Sequence, residues 1–137
     1  MILLDTGPLV AALDSADEWH AWAAARMREL RGPVWTCGAV LSEATFLVGQ
    51  YRPALVRIST LLRGGAILAA EEGVELWSRA AALMERYTNV PMSFADACLV
   101  AMAERAPEAK IFTLDRDFLI YRKTDGHSLT VIAPFTD

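Results

Sequence analysis

Short apolar runs alternate along this chain with longer stretches whose apolar residues recur every three or four positions. Met1 to Leu4 is such a run, closed by Asp5, and Gly7-Pro8 suits a tight turn into a helix with proline in its first turn. From Asp17 to Leu30, residues Trp19, Trp22, Ala23, Met27 and Leu30 fall at helical spacing before Gly32-Pro33 interrupts. The pattern then predicts a strand over Val34 to Thr36, a helix from about Ala39 to Tyr51, and another opened by Pro53 and stopped by Gly64-Gly65. Ile67 to Ala69 reads as a third strand. Val74 to Tyr87 is helical, with Trp77, Ala81 and Met84 spaced for one face, and Asn89-Val90-Pro91 separates it from a helix over Ser93 to Arg105. Lys110 to Leu114 predicts a strand ending at Asp115, and beyond the turn at Asp125-Gly126, Leu129 to Ile132 supplies the last strand.

Strands that alternate with helices and read as unbroken apolar runs belong to a parallel sheet covered on both faces. The fold class is therefore α/β, with no linker, repeat or low-complexity tract to divide residues 1–137 into more than a single domain. Apolar residues make up 54% of the 137, which supports a real core and excludes a disordered chain. No apolar run reaches the length of a membrane span, and the first residues lack a basic leader, so a cytoplasmic protein with no membrane partner is expected. Cys37 and Cys98 lie within apolar stretches and read as core residues rather than a disulfide framework. The net charge of −4 argues against unspecific coating of nucleic acid. It leaves room for a nucleic-acid enzyme, because Arg52, Arg57, Arg63, Arg116, Arg122 and Lys123 can still line a phosphate path.

Charge changes the picture most where it interrupts the apolar pattern. Asp5 and Asp115 each follow an apolar strand, at the carboxyl edge where α/β sheets bind ligands. Glu43 has Ala39, Val40, Phe46 and Leu47 as its helical neighbours, which predicts that its carboxylate faces the core or a cleft. Asp96 is the only charge within Phe94 to Ala103. Each acid also has a plainer reading. Ser93-Phe94-Ala95-Asp96 has the form of a capping box, Asp5 can cap a helix, and Asp115 with Asp117 can form an Asx-type turn. Carboxylates gathered in one place need a compensating charge to stay ionised, and hard oxygen donors suit Mg²⁺ or Mn²⁺. The other acids, Glu72 and Glu104 among them, fall in polar or helix-surface settings and read as solubility.

Asp5-Thr6-Gly7 at the start, Ser42-Glu43-Ala44-Thr45-Phe46 on a helix, Ser93-Phe94-Ala95-Asp96-Ala97 opening another and Thr113-Leu114-Asp115-Arg116-Asp117-Phe118 after a strand together resemble the PIN-domain family. The resemblance covers essentially the whole chain and is strongest to its short VapC-type toxins. It implies a three-layer α/β/α fold around a short parallel sheet, and a metal-dependent ribonuclease in which Asp5, Glu43, Asp96 and Asp115 bind magnesium or manganese, with Asp117 as a more variable fifth. It further implies an RNA substrate, an antitoxin that covers the acidic groove, and a homodimer to which the helices bearing Trp19, Trp22 and Trp77 can contribute. Asp5 and Asp96 are expected to ligate the principal ion, Asp115 to complete it and Glu43 to hold a water or second ion. The hydroxyls of Thr6 and Thr113 can orient these carboxylates. His20 and His127 are assigned no part.

A haloacid-dehalogenase phosphatase would carry a second aspartate two residues after the first, where this chain has Gly7. A receiver-type phosphoacceptor would want adjacent acids there, and Asp5 stands alone. Housekeeping RNA processing and a catalytically silent interaction module remain as alternatives to the toxin.

Overall fold

A computed structural model describes residues 1–136, and within them the chain forms a five-stranded, wholly parallel sheet. The elements follow as β1 (Ile2–Leu4), α1 (Thr6–Leu13), α2 (His20–Glu29), β2 (Val34–Thr36), α3 (Gly38–Leu47), α4 (Arg52–Arg63), β3 (Ile67–Ala69), α5 (Val74–Arg86), α6 (Phe94–Arg105), β4 (Lys110–Phe112) and β5 (Thr130–Ile132). Turns of 3-10 helix at Arg116–Leu119 and Pro134–Thr136 follow the last two strands. The strand order is β3-β2-β1-β4-β5. The chain thus winds outward from β1 in one direction, then returns to its other side. Such a reversal opens a crevice beyond the carboxyl ends of the two central strands, here β1 and β4.

Strand alternation decides which side chains meet which helices. Leu3 and Ile111 point into the core shared with α5 and α6, whereas Leu4 and Phe112 point to the opposite face, against α1 and α2. Both faces are covered, so strands this short carry apolar residues throughout rather than at every second position. α6 is buried along Ala97 to Ala103 without a break, as a helix apolar all round must be. Its alanines let it pass between α5 and the sheet.

Several predicted details change. Gly7-Pro8 does not form a separate turn but lies inside the first turn of α1, capped by Asp5. A Cβ on Gly7 would sit 3.2 Å from the Cβ of Leu114, so glycine lets α1 pass close to the segment leaving β4. α2 begins at His20 rather than Asp17, and α3 ends at Leu47 rather than Tyr51. β4 ends at Phe112, two residues before the predicted Leu114, although the Thr113 amide still donates to Ile132. In α5 the core stripe is Leu76, Ala80 and Leu83, one position away from Trp77, which is 44% exposed. Glu72 and Glu104 are structural ties. Glu72 accepts from the Gly38 amide at 2.6 Å, and Glu104 accepts from both the amide and hydroxyl of Thr124. Cys37 and Cys98 are buried as expected. Among the described residues, no helix is long and apolar enough to cross a membrane.

Because β4 carries the crevice from inside the sheet, truncating it should be costly. Ile111, fully buried, pairs in register with Leu3. Ile111→Ala is expected to lose about 2 to 5 kcal/mol of stability, read as a lower urea midpoint with an unchanged slope.

Candidate active site

The register Leu4↔Phe112 brings Asp5 and Thr113 out of the sheet side by side, and the Asp5 amide donates to the Phe112 carbonyl at 3.0 Å. Asp5 is only 6% exposed. One of its carboxylate oxygens accepts from the Thr6 amide at 2.7 Å, which caps α1, and the other accepts from the Thr113 hydroxyl at 2.7 Å. The same hydroxyl oxygen accepts from the Asp115 amide at 2.9 Å, and Asp115 Oδ1 accepts in turn from the Asp117 amide at 2.8 Å. One chain of hydrogen bonds therefore runs from β1 through Thr113 to the turn after β4.

Asp96 enters from α6. Ser93 caps that helix by accepting from the Asp96 amide at 3.0 Å, which leaves the carboxylate free in the first turn. The Tyr121 hydroxyl lies 3.0 Å from Asp96 Oδ2 and 3.0 Å from the Pro91 carbonyl. The Tyr121 ring is itself fixed by edge-on packing against Tyr87 and Phe118. Glu43 arrives differently from the way its neighbours suggest. Phe46 is 85% and Leu47 63% exposed, so no continuous buried face runs along α3 at Glu43, and the glutamate is exposed too. What ties it to the crevice is the Thr6 hydroxyl, which donates to Glu43 Oε2 at 2.9 Å.

Electrostatics connects the group. Burial pushes the Asp5 carboxyl up to about 7, helped by the charges of Asp96 and Asp115 and opposed by the bonds from Thr113 and Thr6. Asp96 is raised by burial and by Asp115, against the Tyr121 and Ser93 hydrogen bonds. Asp117 is raised by burial and then by Asp115. Burial and the Asp96 charge hold the Tyr121 phenol protonated, as a donor must be. Among the described residues, none of these five acids forms an ion pair. Nor is any group of three or more His, Cys, Asp or Glu side chains drawn tightly enough to hold an ion alone. The donors are hard oxygens bearing excess negative charge, which fits a divalent cation that keeps part of its water shell and takes further oxygens from a phosphate.

The PIN domain family profile matches residues 2–124. The chain belongs to the PIN domain family. Ribonuclease VapC26 of Mycobacterium tuberculosis is 29% identical over 134 residues, 96% of this chain and 99% of that protein. Among solved structures, the PIN fold is shared with Mycobacterium tuberculosis VapC20, a toxin that cleaves the sarcin-ricin loop, at a TM-score of 0.77 and 22% identity over 85% of this chain and 92% of that one. It is shared too with VapBC2 of Rickettsia felis, bound to a promoter DNA fragment, at a TM-score of 0.61 and 15% identity over 97% and 98%.

Sequence reasoning missed Tyr121, since a tyrosine 25 positions beyond Asp96 carries no local signal of contact with it. His20 Nδ1 lies 2.8 Å from the Ala11 carbonyl, and His127 Nδ1 lies 3.0 Å from Asp125 Oδ2. Tyr121→Phe keeps the ring but removes the hydroxyl, and is expected to cost about 1 to 2 kcal/mol and to raise the Asp96 pKa further, read by carboxyl NMR titration.

Asp5 makes the metal-free PIN domain pH-sensitive. Its folded pKa of about 7 lies above the ordinary 3.8, so folding favours the protonated form. This contribution is fully present below about 3.8 and is lost as pH rises through 7, on the order of 4 kcal/mol. Asp5→Asn cannot ionise. Relative to the unaltered protein it should gain thermal stability at pH 8 and little at pH 4, measured without divalent ions.

Proposed function

We propose that the protein is a divalent-metal-dependent endoribonuclease and the toxin of a toxin-antitoxin module, with Mg²⁺ or Mn²⁺ as its ion. The observation that carries this reading is the junction of Asp5, Thr113 and Asp115, where two adjacent strand ends hold like charges together and, among the described residues, no ion pair neutralises them. The near full-length likeness to Ribonuclease VapC26 supports RNA as substrate. When bound, a divalent ion supplies positive charge to the scissile phosphate and activates an attacking water.

In this reading Asp5, Asp96 and Asp115 hold the ion, while Glu43 and Asp117 complete the acidic rim. Thr113 orients Asp5 and Tyr121 orients Asp96, so both carboxylates present fixed oxygens to the crevice. Thr6 steers Glu43 from the rim. The fold shared with a toxin-antitoxin complex from Klebsiella pneumoniae supports an antitoxin partner that covers this groove. The protein acts in the cytoplasm, as one domain that pairs into a homodimer.

Purified protein is expected to cleave RNA with Mg²⁺ or Mn²⁺ and to stop when excess EDTA is added. Asp5→Asn and Asp96→Asn should each lower the rate by at least about 100-fold with an unchanged circular dichroism spectrum. Undiminished cutting in EDTA would sink the metal reading, and no cutting with any divalent ion would sink the nuclease.

A further inference from the structure

A cation stands at the edge of the acidic crevice without neutralising it. Arg116 lies between Asp115 and Asp117 in sequence and is exposed, yet among the described residues it forms no ion pair. Its guanidinium instead lies over the ring of Phe135, 4.6 Å from the centroid. Both partners are anchored. Asp115 caps the turn that begins at Arg116, and the Thr136 hydroxyl accepts from the Ala133 amide and donates to the Ala133 carbonyl at 2.8 Å, closing the turn that holds Phe135.

The sheet explains why they meet. Phe112 pairs in register with Ile132, so the segments leaving β4 and β5 run out together beside the crevice. Arg116 neighbours two carboxylates in sequence, yet its guanidinium lies on the aromatic face and pairs with neither. That leaves the acids free for a metal and the fork free for an anion. Two other arginines, Arg122 and Arg86, are already engaged. Arg122 Nη1 turns inward to the carbonyls of Leu119, Ile120 and Tyr121, while Arg86 donates to the Lys123 carbonyl. By contrast, no side-chain hydrogen bond within the described residues uses Arg116.

We infer that Arg116, stacked on Phe135, binds a phosphodiester of the RNA next to the one being cut, and that the outer face of its guanidinium stacks on an unpaired base. The inference rests on the ribonuclease reading above. A planar fork suits two phosphate oxygens at once, and its flat face suits a base splayed from single-stranded RNA. Phe135 is a positioning residue: it keeps the fork outside the acidic cluster.

The test measures binding of a labelled single-stranded RNA oligonucleotide by fluorescence anisotropy in an Asp5→Asn background, where the RNA stays intact. Cleavage kinetics of the same changes are measured in the otherwise unaltered protein. Arg116→Ala should weaken binding roughly tenfold and reduce the slope of log affinity against log salt by about 0.7, the share of one phosphate contact on a single strand. Arg116→Lys should keep the slope and lose part of the affinity, and Phe135→Leu should do the same. In cleavage the loss should fall on KM rather than kcat, with Mn²⁺ affinity unchanged. An unaltered RNA affinity and salt slope in Arg116→Ala, in protein of unchanged melting temperature, would overturn the inference. So would a loss confined to Mn²⁺ affinity. Protein that binds RNA through Arg116 but cuts none would refute the nuclease while supporting the contact, and cutting indifferent to Arg116 would do the reverse.

Discussion

The hydrogen bond from the Thr113 hydroxyl to the buried carboxylate of Asp5 is the joint on which the site depends. It links two residues 108 positions apart, and it can form only because β1 and β4 are neighbours in the sheet. Parallel neighbours send their carboxyl ends the same way, so the residue after each strand arrives at the same edge. Thr113 then does two things with one oxygen. It donates to Asp5 and accepts from the Asp115 amide, so the turn that bears Asp115 and Asp117 is set by the same contact that fixes Asp5.

The plain and the functional readings of these acids turn out to be compatible. Asp5 caps α1, Asp115 forms an Asx-type turn with Asp117, and Ser93 caps α6 through the Asp96 amide. In each case the backbone bond uses part of the group and leaves a carboxylate oxygen for other partners, Thr113 at Asp5 and Tyr121 at Asp96. Local folding thereby aims the acids at one another, against their own repulsion. The Asp5 pKa is raised chiefly by burial, with a smaller push from the Asp96 and Asp115 charges, against two short hydrogen bonds to the ionised form. A site arranged this way holds free energy that a bound cation would release.

How much of this was legible in the sequence depended on how local the cause was. Strand and helix order came through because buried parallel strands are short apolar runs, bounded here by Gly-Pro and Gly-Gly pairs. The positions of Asp5 and Asp115 came through for the same reason, since each ends such a run. The face of α5 did not, because Trp77, Ala81 and Met84 keep the same spacing as Leu76, Ala80 and Leu83, and periodicity alone cannot say which stripe meets α6. Glu43 was singled out for an apolar neighbourhood that is half solvent-exposed, and its link to the crevice runs through Thr6, a contact across 37 residues. Tyr121 beneath Asp96 and Phe135 beneath Arg116 are likewise products of tertiary packing.

The acids are held with unequal firmness, and that inequality bears on how an open acidic crevice can select a phosphodiester. Asp5 is fixed from two sides and Asp96 is braced by a tyrosine whose ring is locked, while Glu43 rides on an exposed helix by a single hydroxyl. Rigid oxygens at the centre and a movable one at the rim suit an ion whose remaining ligands come with the substrate. A tightly closed cage would bind the ion as well without RNA as with it. An incomplete one would couple the two, because the positions that the carboxylates leave open on the ion would be filled by phosphate oxygens when RNA is bound.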